Sequence, residues 1–270
     1  AAGIGSTTTT GAIAFPDDFS IATSPNFFFG IDDTTTALEG VYMFQGVPFP
    51  GASVATATPS VATGNNIVSL DVSGPFASAI IVAGTQNGRV LRSLNGGSVW
   101  TPILKPPTGA GNAWVAVHYT DSTKVYALIT GADGALSVTT DSGTTWNQIS
   151  LIAVTLTTTT PDVINDLAFA SDGTIFMSTT DAAQTIDSIW RWDGTNWDRV
   201  LSETVFGATN LAMVELSPDG SAVFAVDTAA AAVPQIWRST DNGQTWVAQA
   251  TATGAATTAW LVTGSGSLLV

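Results

Sequence analysis

The sequence predicts an all-β chain built from a repeated unit of four antiparallel strands. Thr, Val and Ile are abundant, and these residues favour pleated, half-buried surfaces. Leu, Glu, Lys and Gln, which fill most exposed helix faces, are scarce, and no window holds apolar residues at helical spacing over three turns. Tryptophan recurs at intervals of 46 to 51 residues, at positions Trp100, Trp146, Trp197 and Trp246.

Short apolar runs are separated by Asn-Gly and Asp-Gly dipeptides, which tolerate positive φ and close tight hairpins. They are Asn87-Gly88, Asn95-Gly96, Asp133-Gly134, Asp172-Gly173, Asp193-Gly194, Asp219-Gly220 and Asn242-Gly243. Each unit then has the same order: an apolar strand, a turn, a second apolar strand, a connection, a third strand, a polar turn and a tryptophan. A period near 50 residues with four strands in each repeat is typical of β-propeller blades.

The repeats predict a single β-propeller domain over residues 1–270, with five recognisable blades and a partial sixth. The blade ranges are approximately 11–50, 66–104, 112–150, 163–201, 209–250 and, for the partial blade, 257–270. An unfinished sheet exposes a long edge, which favours aggregation. We therefore expect six or seven blades, completed either by the N-terminal residues or by chain beyond Val270.

Composition excludes several classes of protein. The 270 residues carry 21 Asp plus Glu against 7 Lys plus Arg, a formal net charge of -14, so a nucleic acid or an anionic membrane would be repelled. Only 10% of residues are charged, against roughly 25% in ordinary soluble domains. With 45% hydrophobic residues the chain can fill a core, and without cysteine it has neither disulfides nor thiolate ligands.

The turn before each recurring tryptophan follows the pattern Ser/Thr-x-Asp-x-Gly-x-x-Trp, with Asn for Asp in the first copy. The three matching turns contain Asn95, Gly97 and Trp100; Asp141, Gly143 and Trp146; and Asp241, Gly243 and Trp246. A fourth turn, with Asp193 and Trp197, is one residue shorter. The pattern resembles the Asp-box, or BNR repeat, of sialidase-like and sortilin-like propellers, and the resemblance implies a propeller fold with these turns on its outer rim. An Asp side chain can accept backbone hydrogen bonds within such a turn, so we expect a structural role.

Sialidases of that superfamily use an arginine triad, an acid Asp and a Tyr/Glu pair. Here Arg92, Arg191 and Arg238 each stand one residue before the turn motif, near the outer strands rather than the axis. The tyrosines have no obvious Glu partner. The resemblance therefore does not extend to the sialidase catalytic set.

Glycoside hydrolysis requires two carboxylates about 5 to 10 Å apart. Asp71, Asp166 and Glu215 are the candidates, because they lie in or beside first strands, which line the channel of a propeller. The alternative is that each is solvated or bonded within a turn, since an unpaired buried carboxylate is costly.

Other candidate sites have weaker patterns. His118 is the single histidine, so a multi-histidine metal site is excluded and a structural role is favoured. Calcium is the one plausible metal, at the pairs Asp17-Asp18 and Asp32-Asp33, although neither pair has the spacing of a known calcium loop. No other cofactor is expected. Trp190 and Trp192 share one strand face, and Trp114 and Trp260 lie on first strands where they can face the channel.

The poor catalytic inventory, the shortage of Lys, Arg and Glu and the Thr-rich faces favour a secreted, non-enzymatic propeller. We expect an extracellular or cell-surface assembly module whose partners are other subunits or copies of itself, with O-linked glycans on Thr7–Thr10, Thr34–Thr36 and Thr157–Thr160. The first residue, Ala1, fits a cleaved leader or an excerpt of a longer chain. The alternative is a secreted glycoside hydrolase or glycan-binding propeller that uses Asp and Glu at the channel.

Overall fold

The fold is taken from a computed structural model of the chain, which divides into two compact units, Ala1–Ala153 and Val154–Val270. The structure describes residues 8–33, 39–46, 66–118, 120–130, 134–151, 163–170, 172–180, 187–202, 210–217, 219–228, 236–249, 262–264 and 267–269.

The first unit contains three antiparallel sheets in its described residues, with each strand hydrogen-bonded to the next along the chain. The first sheet has three strands: β1 (Thr8–Ala14), β2 (Phe27–Asp33) and β3 (Gly40–Phe44). The second has four: β4 (Ile67–Ser73), β5 (Ile80–Thr85), β6 (Val90–Ser93) and β7 (Trp100–Thr101). The third also has four: β8 (Ala113–His118), β9 (Asp121–Ile129), β10 (Ala135–Thr139) and β11 (Asn147–Leu151). One short 3₁₀ turn, Phe76–Ser78, joins β4 to β5.

The second unit repeats this plan. One four-stranded sheet consists of β12 (Val163–Phe169), β13 (Ile175–Thr180), β14 (Ser188–Trp192) and β15 (Trp197–Ser202). The next consists of β16 (Asn210–Leu216), β17 (Val223–Thr228), β18 (Ile236–Ser239) and β19 (Val247–Ala248). A final two-stranded pair is formed by β20 (Val262–Gly264) and β21 (Ser267–Leu269).

The hairpins form where the sequence places Asp-Gly. At the β12–β13 turn, Gly173 has φ of 92°, a value that favours glycine, and Thr174 N–H donates to Asp172 Oδ1 at 2.9 Å. At the β16–β17 turn, Asp219 Oδ1 accepts the Ser221 N–H at 3.1 Å. The carboxylate of each turn thus satisfies the backbone that reverses there.

In three of the four described four-stranded sheets, the first strand carries a register irregularity at the same place. It falls between Ile67 and Ser69 in β4, between Ile164 and Asp166 in β12, and between Leu211 and Met213 in β16. An extra residue bends a strand and re-aims the side chains that follow it. The bulge therefore determines which way Ser69 and Asp166 point.

The core of the first unit lies between its sheets. Phe28 of β2 stacks on Phe76 at a ring distance of 4.7 Å, and a Cβ on Gly30 would meet the Ile67 side chain at 2.2 Å. Trp146, only 1% exposed, packs with Val82 and Val90 of the preceding sheet. Close approach of backbones and one large aromatic ring fill the space between neighbouring sheets.

The second unit packs in the same way. Phe176 of β13 and Val214 of β16 are fully buried in one cluster, against which Trp246 packs. Gly243, in the turn that precedes Trp246, approaches so closely that a Cβ there would lie 3.1 Å from the Phe176 ring. The tryptophan after the turn thus packs on the preceding sheet in both units.

The prediction of an all-β fold with four-stranded antiparallel sheets is confirmed, and the described residues contain no helix long and apolar enough to cross a membrane. The blade ranges and the single-domain assignment remain predictions. Several predicted features lie outside the described residues: Asp133, Trp260, Thr7, Thr34–Thr36 and Thr157–Thr160.

Replacing Trp146 by Ala should lower the free energy of unfolding by about 3–5 kcal/mol, because the buried ring would leave a cavity between two sheets. The measurement is urea-induced unfolding followed by circular dichroism. Val247→Ala is the control, since this side chain is 61% exposed and its removal should cost less than about 0.5 kcal/mol. Equal losses for the two variants would contradict the packing described.

Candidate functional site

Each unit has a candidate site at the polar side chains of its first strands, which are β4 and β8 in the first unit and β12 and β16 in the second. Each of these strands lies at the end of its sheet and pairs on one side only with the second strand. The N–H groups on its other side have no partner within the sheet, and a buried N–H without a partner is costly. In β8 and β16, side chains of the preceding sheet accept hydrogen bonds from some of these N–H groups.

Ser69 and Asp71 of β4 bind the free edge of β8. Ser69 Oγ accepts the Val115 N–H at 3.1 Å and donates to the Ala113 carbonyl at 2.9 Å. Asp71 Oδ2 accepts the Val117 N–H at 2.7 Å, while its Oδ1 accepts the N–H of its neighbour Val72 at 2.8 Å. Both oxygens of the Asp71 carboxylate are therefore hydrogen-bonded to backbone.

Asp166 of β12 binds the edge of β16 in the second unit, where its Oδ2 accepts the Val214 N–H at 3.1 Å. Asp166 and Ser69 hold equivalent positions in their sheets. Across the sheet, Asp166 is in line with Ile189 of the third strand, two residues before Arg191. Ser69 is likewise in line with Val90, two residues before Arg92. The same bond is thus made by a carboxylate in one unit and by a hydroxyl in the other.

These bridging carboxylates resist ionisation. Desolvation by burial raises the pKa of Asp71 to about 6, although its hydrogen bonds from Val117 and Val72 oppose the shift. Desolvation also raises the pKa of Asp166 to about 7, against the opposing bonds from Val214 and Leu167. A carboxylate in this position gains two hydrogen bonds but loses its water, and the loss of water dominates.

Glu215 is the third predicted carboxylate. It pairs with Phe224, which faces Arg238, just as Asp71 pairs with Val82, which faces Arg92, so Glu215 and Asp71 are equivalent. Desolvation raises the pKa of Glu215 to about 7, and its negative charge contributes to the raised pKa of Asp166. Asp166 and Glu215 lie on the first strands of successive sheets of the second unit, and the charge of Glu215 opposes the ionisation of Asp166.

The predicted turn motifs lie at the other edge of the sheets, between the third and fourth strands. Asp141 Oδ1 accepts the hydroxyl of Thr139 at 2.6 Å and the N–H groups of Thr144 and Thr145 at 2.9 Å each. Its Oδ2 accepts the Thr145 hydroxyl at 2.7 Å. Desolvation raises the pKa of Asp141, but these hydrogen bonds outweigh it and lower the value to about 2.

The other two turns repeat this geometry. Asp241 Oδ1 accepts the Ser239 hydroxyl and the Thr245 N–H, both at 2.8 Å, and its Oδ2 accepts the Thr245 hydroxyl. These bonds, that from Thr245 first, lower the pKa of Asp241 to about 2. Asn95 Oδ1 makes the corresponding bonds to the Ser93 hydroxyl at 3.0 Å and the Val99 N–H at 2.9 Å.

The glycine of each motif has a left-handed backbone, with φ of 83°, 84° and 81° at Gly97, Gly143 and Gly243. Its N–H donates to the first hydroxyl of the motif, for example Gly143 to Thr139 at 3.1 Å. The shorter turn keeps only the carboxylate bonds: Asp193 Oδ1 accepts the N–H groups of Thr195 and Asn196 at 2.8 and 2.7 Å.

Two arginines each connect one turn to the preceding sheet. Arg92 of β6 donates to the Ser142 carbonyl at 2.9 Å, and Arg191 of β14 donates to the Asn242 carbonyl at 2.9 Å. Arg191 also forms an ion pair with Asp198 at 2.9 Å. Arg238, the third member of the series, is exposed and lies 6.0 Å from the Phe224 ring. Arg92 and Arg191 are thus engaged by turn carbonyls.

The predicted calcium residues have protein partners. Asp17 accepts the Gly74 N–H at 3.0 Å and Asp18 accepts the Phe76 N–H at 2.8 Å, so this pair anchors the turn between β4 and β5. Asp32, which is 3% exposed, accepts from the Gln86 amide, and the Asp33 side chain lies outside the described residues. Within the described part of the chain, no three His, Cys, Asp or Glu residues cluster as a metal site. Calcium binding stays a prediction.

The remaining candidates are positioned as follows. His118 is half-buried and its Nδ1 accepts the Thr120 N–H at 3.3 Å. Trp114 is half-buried on β8, in the position that Ser69 and Asp166 hold in their strands. Trp190 donates to the Thr179 hydroxyl at 3.0 Å, and the Trp192 ring lies 5.5 Å from that of Trp197.

Sequence reasoning missed the role of Ser69 and the bonds made by Arg92 and Arg191. The Ser69 contact joins residues 44 and 46 positions apart, which no local pattern predicts. For Arg92 and Arg191, the signal was the recurrence of Arg before the turn motif. This recurrence indicated that the arginines share an environment, but it did not identify the carbonyl groups of the next sheet as their acceptors.

No family model matches the chain, and no curated protein matches it. Solved structures do. The GH74 xyloglucanase of Xanthomonas campestris is 13% identical with a TM-score of 0.60, covering 88% of this chain and 38% of its own. A structure of YCF48 bound to D1 peptide is 16% identical with a TM-score of 0.56, covering 90% and 69%. A putative TolB from Agrobacterium tumefaciens is 13% identical with a TM-score of 0.52, covering 82% and 76%.

These neighbours are β-propellers, so the chain has the β-propeller fold that its repeats predict. At identities below 20% the likeness extends to the fold alone. The chain spans little more than a third of the length of the xyloglucanase chain that it matches.

The pKa shifts predict an acidic stability optimum. Asp71, Asp166 and Glu215 bind protons more tightly in the folded than in the unfolded chain, so stability should rise as the pH falls from about 8 to about 5. Asp141, Asp219 and Asp241 have lowered pKa values, so their contribution should be lost below about pH 4. Thermal unfolding across this range would measure both parts of the profile: the alkaline limb, between about pH 5 and 8, and the acidic limb, below about pH 4.

Asp166→Asn isolates the alkaline limb, because the amide oxygen can still accept the Val214 N–H but does not titrate. This variant should lose less stability than the natural chain between about pH 5 and 8. Asp219→Asn is the matched control and should change only the acidic limb, since its pKa is lowered. An unaltered alkaline limb in Asp166→Asn would contradict the burial of this carboxylate.

Proposed function

We propose that the chain is a non-enzymatic assembly module of a cell surface or extracellular structure, such as a surface layer, a sheath, an appendage or the periphery of a complex. The observation that carries this proposal is that Asp71 and Asp166, two of the three candidate catalytic carboxylates, accept hydrogen bonds from backbone N–H groups of the first strand of the next sheet. A carboxylate that holds two strands together is poorly placed to exchange protons with a substrate.

The turn motifs support the same function. Asp141, Asp241 and Asn95 spend their side-chain oxygens on bonds within their own turns. We assign them the structural role of Asp-box residues, and with it membership of the Asp-box group of propellers. Their glycines and tryptophans then fasten each sheet to the one before it, which leaves the outer edge of the sheets as the surface that meets partners.

The surface composition also fits assembly. Only 10% of the residues are charged, which leaves much of the surface neutral and suited to close polar contacts, whereas the net charge of -14 opposes the association of identical copies. A neighbouring propeller, YCF48, has been solved with a bound peptide, which shows that this fold can present a peptide site. Partners of this chain would be other subunits or further copies of itself.

Assembly is tested by size-exclusion chromatography with light scattering, and by negative-stain electron microscopy, over a wide range of protein concentration. We expect concentration-dependent oligomers or polymers, or a stoichiometric protein partner in extracts of the surface of the producing cell. A particle that stays monomeric throughout and co-purifies with no protein would contradict the proposal.

A second function, glycoside hydrolysis, is favoured by one observation. Asp166 and Glu215 lie on adjacent strands, each with a pKa raised to about 7, and a carboxylic acid that keeps its proton near neutral pH can act as a general acid. One structural neighbour is a xyloglucanase, which gives neutral polysaccharides as the substrate class to test.

Release of reducing ends from xyloglucan and other neutral polysaccharides discriminates the two functions. The assembly proposal expects no turnover. If turnover is found, Glu215→Gln and Asp166→Asn should each lower it about 100-fold or more, whereas the exposed Asp198→Asn should leave it unchanged. Unchanged turnover in both site variants would remove these residues from any catalytic role.

A further inference from the structure

β15 is the longest outer strand among the described four-stranded sheets. β7 and β19 have two residues each, and β11 has five. The turn just before β11 is paired with earlier chain: Leu104 N–H donates to the Thr144 carbonyl at 2.9 Å and Trp146 N–H to the Lys105 carbonyl at 3.1 Å. β15 runs for six residues, and nothing in the described part of the chain pairs with its outer side.

The outer side of β15 offers a row of backbone donors and acceptors. In an antiparallel sheet, alternate N–H and C=O groups of an end strand point away from its one neighbour, here β14. An open groove of about 180 Å³ follows this strand and is lined by Arg199, Val200, Leu201 and Ser202. An extended peptide in such a groove can form main-chain hydrogen bonds as an additional strand.

One positive charge stands at this edge. Arg199 is exposed, its guanidinium lies 5.2 Å from the centre of the Trp190 ring, and no carboxylate of the described residues forms an ion pair with it. The neighbouring Asp198 is already paired with Arg191 at 2.9 Å. Arg199 is therefore free to pair with a carboxylate of a bound segment. This is notable because the chain itself carries three acidic residues for each basic one.

We propose that the outer edge of β15 binds an extended segment of a partner protein as a fifth strand, with an Asp or Glu side chain of that segment opposite Arg199. Directly opposed side chains on adjacent strands interact, and opposite charges there are favourable. Trp190 provides an apolar floor beside the pair. This inference rests on the proposed function, because it locates the surface through which the module assembles.

Charge disfavours two of the registers in which a second copy of β15 could bind this edge. When two copies of one strand pair antiparallel, a twofold axis normal to the sheet relates them, and the residue nearest the axis faces the same residue of the other copy. Registers centred on Asp198 or on Arg199 would each place like charges opposite one another, which is destabilising. A partner strand with an acidic residue at the facing position avoids this conflict.

The test uses two labelled, acetylated and amidated heptapeptides, Thr-Val-Thr-Glu-Thr-Val-Thr and the same peptide with Lys at its centre, and measures their binding to the full chain by fluorescence anisotropy. The Glu peptide should bind about tenfold more tightly than the Lys peptide. Arg199→Glu should reverse this preference, while Arg238→Glu, an exposed arginine on the next sheet, should keep it. Circular dichroism would verify that both variants fold.

Strand addition is tested by N-methylating alternate backbone amides of the Glu peptide. Methylation of the set that faces β15 should abolish binding, and methylation of the other set should not. The inference is overturned if neither peptide binds, if Arg199→Glu leaves the preference unchanged, or if both methylated peptides bind like the parent. A dimer of the natural chain that dissociates in Arg199→Glu would overturn it in favour of a second copy.

The same variants separate this inference from the proposed function. If the natural chain assembles and Arg199→Glu assembles equally well without binding peptide, the β15 edge is not the surface and the proposed function stands. If the natural chain binds the Glu peptide in the predicted way but forms no assembly and has no partner in surface extracts, the strand edge stands and the proposed function fails.

Discussion

The structure depends on satisfying the free edges of the first strands β8 and β16. A strand that ends a sheet has N–H groups with no partner in that sheet, and between packed sheets there is little water to replace one. Ser69, Asp71 and Asp166 supply the missing acceptors from the sheet before. The bulges at the start of β4 and β12 contribute to these bonds, because each one changes the direction of the strand just before the side chain that accepts the hydrogen bond. The same side chains therefore hold neighbouring sheets together and provide hydrogen-bond partners for the backbone at their edges.

A second set of contacts joins the sheets at their outer side. Arg92 and Arg191 reach the carbonyls of the next turn, and that turn is held in shape by its own Asp, hydroxyl and glycine. Its tryptophan packs on the preceding sheet, fully buried in the case of Trp146. Neighbouring sheets are thus joined at the first strand by hydrogen bonds to free edges and at the outer turn by hydrogen bonds to carbonyls, with the apolar core between.

Sequence patterns could predict the features that are local or repeated. The turn around Asp141 was predictable because its ligands lie within four residues, and the period of the tryptophans predicted four-stranded sheets. Contacts between sheets were not predictable in the same way. Ser69 carries no signal of its own, and Asp71 was singled out for chemistry when its partner is a backbone N–H 46 residues away. The sequence shows which residues recur from repeat to repeat, but only the fold shows which backbone group of the next sheet each side chain contacts.

The acidic residues fall into two physical groups, and this division changes the meaning of a net charge of -14. Carboxylates in the turns are held ionised by converging hydrogen bonds, as at Asp241, whereas those between sheets resist ionisation because they are desolvated, as at Asp166 and Glu215. Much of the formal charge is thus committed to the architecture of the fold and is not arranged for recognition. The proposed assembly is therefore best served by backbone edges and single, well-placed charges. β15, whose outer side pairs with no other described residue, and its exposed Arg199 combine the two.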